Sequence, residues 1–118
     1  MENFKPRGGK KPETTLQELI MKFMMLKGWF CKNTHGNMFQ SGFPDFFATH
    51  RTYGHRWVEV KMPDRSGDPF TKAQHETFPE LCSHGSGVWV LTAATEDEYA
   101  KLFKKFNWWQ YTGAFKNG

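Results

Sequence analysis

Pro44-Asp45-Phe46-Phe47-Ala48-Thr49-His50 and, after Arg51-Thr52-Tyr53-Gly54-His55, Arg56-Trp57-Val58-Glu59-Val60-Lys61-Met62 decide how this chain folds. Both runs are rich in β-branched and aromatic residues, which predicts strands over 45–50 and 56–62 joined through Thr52, Tyr53 and Gly54. A hairpin centred near Thr52 pairs residues whose numbers sum to about 104, so Asp45 falls opposite Glu59. Side chains opposed on one face lie within about 5.5 Å at Cβ. Like charges there repel unless a metal ion bridges them or one carboxyl keeps its proton. Alternation puts Lys61 on the same face as Glu59 and turns Val58 and Val60 to the core. A carboxylate in such apolar company is costly to bury unless it meets a cation.

The rest of the chain supplies layers for this hairpin. Leu16, Leu19, Ile20, Phe23 and Met24 recur at helical spacing before Gly28, predicting a helix from about Glu13 to Lys27. A short strand is expected over 29–34 and a loop over 35–44. A polar loop follows at 63–69. Thr71 caps a second helix that Gly85 or Gly87 closes, with a kink or break expected at Pro79. A strand is expected over 88–92. A third helix then runs from a Thr95 cap to about Phe106, with Glu98 completing a capping box. The order helix-strand-strand-strand-helix-strand-helix reads as an α/β fold, a mixed central sheet flanked by helices.

At 118 residues there is room for one domain, with enough core to fold without disulfides or metal. Hydrophobic residues at 38% and charged residues at 24% exclude a disordered chain. No apolar run approaches the ~18 residues of a membrane helix, and the basic start does not read as a secretory signal. Cys31 and Cys82 make no disulfide framework and are expected as free thiols in a reducing, cytoplasmic setting. The formal charge of +4 is unevenly spread. Residues 1–12 carry +3 and residues 101–118 carry +4, leaving −3 for the body between them. Residues 1–12 therefore read as a basic disordered arm, 13–106 as the folded domain and 107–118 as a basic aromatic tail. The arm is open to two readings, a solvated tail or a contact to phosphates.

Two carboxylates with water suit Mg²⁺ or Mn²⁺, hard ions that prefer oxygen. Such a site can activate water and stabilise charge on a phosphate, with Lys61 orienting the water or meeting the growing negative charge. The constellation thus suits phosphodiester hydrolysis. The plainer alternative leaves Glu59 and Lys61 as ordinary polar residues on a solvated face.

Pro44-Asp45, thirteen residues, then Glu59-Val60-Lys61 resembles the PD-(D/E)XK nuclease superfamily. The wider pattern is similar to its VRR-NUC branch: Glu13, Gly42-Phe43-Pro44-Asp45, Val58-Glu59-Val60-Lys61, Gln74 and Gly87-Val88-Trp89-Val90 follow in that order over roughly 13–103. The resemblance implies a restriction-endonuclease-like core and metal-dependent endonuclease activity on DNA, commonly branched, flap or Holliday-junction DNA, leaving a 5′-phosphate and a 3′-hydroxyl. Small stand-alone members are similar to phage proteins and act as homodimers. It further implies Asp45 and Glu59 as metal ligands, the Val60 carbonyl as a third, and Lys61 as the catalytic lysine. For the helix-one acid it favours Glu13, four residues before Gln17. Glu18 is the rival, with its own structural explanation in a Thr15-x-x-Glu18 capping box. Gln74 either reaches the active site or serves only the Thr71-x-x-Gln74 capping box. Pro79 departs from the pattern. The main alternative is a non-catalytic nucleic-acid-binding module on the same fold.

Other signals are weaker. Cys31-x-x-x-His35 and Cys82-x-His84 do not have the Cys-x-x-Cys spacing of structural zinc sites. Arg51, Arg56 and Lys72 are candidates for phosphate contacts that composition does not separate from solvated charges. Trp108, Trp109 and Tyr111 beside Lys104 and Lys105 suit base stacking, but equally a core or a dimer interface.

Overall fold

Leu16, Ile20 and Met24, spaced for one helical face, are buried together against a sheet in the computed structural model, which describes residues 11–34, 41–63 and 69–111. Helix α1 spans Pro12–Leu26, with proline in its first turn. Strands β1 (Phe30–Asn33), β2 (Phe46–His50) and β3 (Gly54–Val60) follow, then helix α2 (Lys72–Ser83) and strand β4 (Val88–Leu91). A single-turn helix α3 (Glu96–Tyr99) and two 3₁₀ turns, Ala100–Phe103 and Trp108–Tyr111, complete the described chain. The expected order of elements is present.

The four strands lie in chain order in one mixed sheet. β1 pairs with β2 and β2 with β3 antiparallel, while β3 and β4 are parallel with α2 in the crossover. The hairpin has the register expected from its centre at Thr52: Phe46 faces Val58 and His50 faces Gly54. Period-two alternation then sorts the core into two layers. Val58, Val60, Phe46, Ala48 and Leu91 pack with α1 on one face. Val88 and Val90 pack with Phe70 and Phe78 on the other, where α2 lies. Both faces are covered, so Glu59 is not on a solvated face but within the α2 layer, 1% exposed. Cys31 packs with the first layer and Cys82 with the second, so the sheet separates the two free thiols.

Several expectations need correction. Pro79 stands inside α2 without ending it. The third helix stops at Tyr99 rather than near Phe106, and the backbone is extended at Lys104. Tertiary hydrogen bonds account for this: the Trp89 indole donates to the Lys104 carbonyl at 2.9 Å. Thr95 caps α3, but Glu98 does not close a box. Its carboxylate accepts from the Thr92 backbone and hydroxyl and pairs with Lys101. The expected boundary at 106 falls within packed structure, because Asn107 is buried and grips Val90 through both its N–H and its carbonyl. That side chain closes part of the outer edge of β4. Trp108 packs on Phe70 and Phe78. The basic arm falls outside the described residues except for Lys11 and Pro12, as does the tail beyond Tyr111. Arg56 is committed to structure, donating to the Leu102, Tyr53 and His55 carbonyls.

Gly42 holds the approach to Asp45. Its φ is +87°, and an added Cβ would lie 2.6 Å from the Ala73 carbonyl oxygen of α2. Gly54, at φ +83°, has open space around the same position. Gly54→Ala should therefore cost only the left-handed backbone, about 1 kcal/mol. Gly42→Ala should cost a further ~1–3 kcal/mol from overpacking against α2. Denaturant midpoints of the two variants check the difference, and equal losses would contradict the close approach.

Candidate functional site

Asp45 sits one residue before β2, where the strand register brings it beside Glu59. Each of the two acids accepts a backbone N–H from the other's segment. The Asp45 N–H donates to Glu59 Oε1 at 3.1 Å, and the Val60 N–H donates to Asp45 Oδ2 at 2.7 Å. On the far side, the Thr34 hydroxyl and N–H hold the Asp45 carbonyl. The carboxylates are thus fixed in proximity by strand geometry.

Lys61 continues the same face. Its Nζ donates to the Pro69 carbonyl at 2.9 Å, lies 3.0 Å from Glu59 Oε2 and reaches within 3.9 Å of Glu13 Oε2. Glu13 enters from the first turn of α1. Glu18 is exposed on that helix and does not line the cleft. Nor does a Thr15–Glu18 capping box form: α1 begins at Pro12, so Thr15 lies inside it.

Gln74 both caps α2 and contacts Glu59. Its Oε1 accepts the Thr71 N–H, completing the capping box with Thr71 Oγ1 and the Gln74 N–H. Its Nε2 donates to Glu59 Oε2 at 3.0 Å. Val60 has its side chain in the core, while its N–H points toward Asp45. In an extended strand the carbonyl of the same residue points to that side too.

Glu13, Asp45, Glu59, Lys61 and Gln74 line a cleft of about 650 Å³ together with Lys11, Thr14, Gln17 and Thr71. Gln17 was not foreseen as a site residue. The available signal was its position one turn after Glu13 on the same helix face, a polar residue between Leu16 and Ile20. Cys82 and His84 do not combine with other ligands into a metal-binding group among the described residues, and His35 lies outside them. The group that does form is Glu13, Asp45 and Glu59, one oxygen from each lying within 4.8 Å of the others. This all-oxygen donor set fits a hard divalent ion. The three acids and the adjacent Lys61 ammonium together carry a formal −2 when all are ionised.

Burial, then the nearby Asp45 charge, pushes the Glu59 carboxyl up to about 8 against the opposing pull of Lys61 and Gln74. Comparison with protein-family models, curated proteins and solved structures gave no match.

Between its ordinary value of 4.5 and about 8, the folded chain therefore holds a proton that the unfolded chain has released. That contribution to stability is fully present below 4.5 and is lost as pH rises through about 8. Denaturation of the metal-free protein at a series of pH values should show stability falling across this window, and Glu59→Gln should flatten the slope. A slope unchanged by the substitution would assign it to other groups.

Proposed function

We propose that the protein is a metal-dependent endonuclease that hydrolyses DNA phosphodiester bonds on a restriction-endonuclease-like core, in the manner of the VRR-NUC branch of PD-(D/E)XK enzymes. The observation that carries this reading is the convergence of Glu13, Asp45 and Glu59 beside the Lys61 ammonium in one cleft. The carboxylates would hold Mg²⁺ or Mn²⁺, with the Val60 carbonyl as a further oxygen. A divalent ion there supplies Lewis-acid polarisation of a phosphate oxygen and makes a water more acidic.

The chain's own groups do the positioning. Lys61 is anchored by the Pro69 carbonyl and Glu59. It orients the attacking water and offers positive charge as negative charge grows on the phosphoryl oxygens. Gln74 holds the Glu59 carboxylate in place. Attack in line with the departing 3′-oxygen leaves a 5′-phosphate and a 3′-hydroxyl. Preference for branched DNA, action as a homodimer and a cytoplasmic setting belong to the same reading. Exposed Met25, Leu26 and Phe30 offer apolar surface for a second copy. No helix among the described residues is long and apolar enough to cross a membrane.

With Mg²⁺ or Mn²⁺ the protein should nick supercoiled plasmid, and EDTA should abolish the nicking. Asp45→Asn and Lys61→Ala should each slow it by about 10²–10³-fold, and Gln74→Ala by about 10–100-fold. Nicking that survives the first two substitutions places the chemistry elsewhere. DNA binding by the wild type without nicking favours a non-catalytic module.

A further inference from the structure

A second cavity, of about 380 Å³, lies beside the C-terminal turns and is lined by Lys101, Lys104, Lys105, Asn107, Gln110 and Tyr111. Among the described residues its lining contains three lysines and no carboxylate. Lys101 is balanced by Glu98 at 2.7 Å and also donates to the Tyr111 hydroxyl. Lys104 and Lys105 are exposed and have no carboxylate within 4.0 Å among the described residues. The backbone that presents them is pinned to the fold. The Lys104 carbonyl accepts the Trp89 indole N–H, the Lys104 N–H donates to the Lys101 carbonyl, and the Gln110 N–H donates to the Asn107 carbonyl. Lys105 Nζ lies over the Trp109 ring at 6.0 Å. Clustered ammonium groups on a fixed platform favour an anion between them.

The cavity lies beside the outer edge of β4, in the same sheet that carries the carboxylate cleft. Glu59 pairs with Val90 across the parallel strands, and Asn107 grips Val90 from the other side. One strand spacing of about 4.8 Å and one side-chain hydrogen-bonded contact thus separate Asn107 from the Glu59 backbone. We propose that this cavity is a second phosphate-binding site, which grips the backbone of a nucleic acid whose scissile phosphodiester occupies the carboxylate cleft. The choice of nucleic acid as the polyanion rests on the nuclease reading above.

Fluorescence anisotropy of a short labelled duplex, with EDTA present to prevent cutting, tests the site in the full-length chain. Lys104→Ala/Lys105→Ala should weaken binding about tenfold or more, alike for all sequences, and lower the slope of log K against log salt by about 1–2. Lys104→Arg/Lys105→Arg should keep both near wild type. Both side chains are exposed, so the melting temperature should not move. Unchanged affinity and slope in the alanine variant would overturn the site, as would a wild type that shows no salt-dependent binding or prefers polyglutamate to DNA. The two proposals can fail separately. Metal-dependent cutting with an unchanged salt slope sinks the site and leaves the nuclease. Lysine-dependent DNA binding without cutting supports the site and sinks the nuclease.

Discussion

Two acids that should repel each other are held together because each accepts a backbone N–H from the other's segment. The Asp45–Glu59 exchange is possible only in the register that sets Phe46 opposite Val58. A slip of one residue would turn Asp45 toward α1 and the apolar layer behind β3. The register thus fixes the core and the carboxylate pair together. The cost is a carboxyl buried beside a like charge, reflected in the raised titration of Glu59.

Around that exchange, the two layers of the fold deliver one group each. Glu13 comes from the start of α1, packed on one face of the sheet, and Gln74 from the start of α2, packed on the other. They meet at the end of β3, where Lys61 leaves the strand. Strand geometry sets the deepest members of the cleft and helix docking sets the outer ones. Gly42 links the two, because α2 packs directly against the turn that leads into Asp45.

How far the chain could be read in advance follows the range of the interactions involved. The hairpin was legible because alternation and a central turn are local and jointly determine pairing. Glu13 and Gln74 were legible as helix-start residues near the paired carboxylates, although nothing in their spacing showed that Gln74 would cap its helix and contact Glu59 at once. The third helix was overextended because its Thr95 start is a local signal, whereas the Trp89–Lys104 and Asn107–Val90 bonds that redirect the chain are tertiary. Gln17 was obscured by its apolar neighbours, and Arg56 looked like a phosphate contact because its carbonyl partners are invisible without the fold. Glu59 was placed on the right face, but the sequence did not reveal that α2 would cover it.

The Thr71–Gln74 box also narrows which residue position 74 can accept. A helix start is served equally by glutamate or glutamine three residues after its threonine cap. Here the far side of that same group meets Glu59, already crowded by Asp45 and Glu13. The amide offers the cap an oxygen and the carboxylate an N–H, and glutamate would replace that donor with another negative charge. Local folding tolerates either side chain at this position, whereas the site selects the uncharged one.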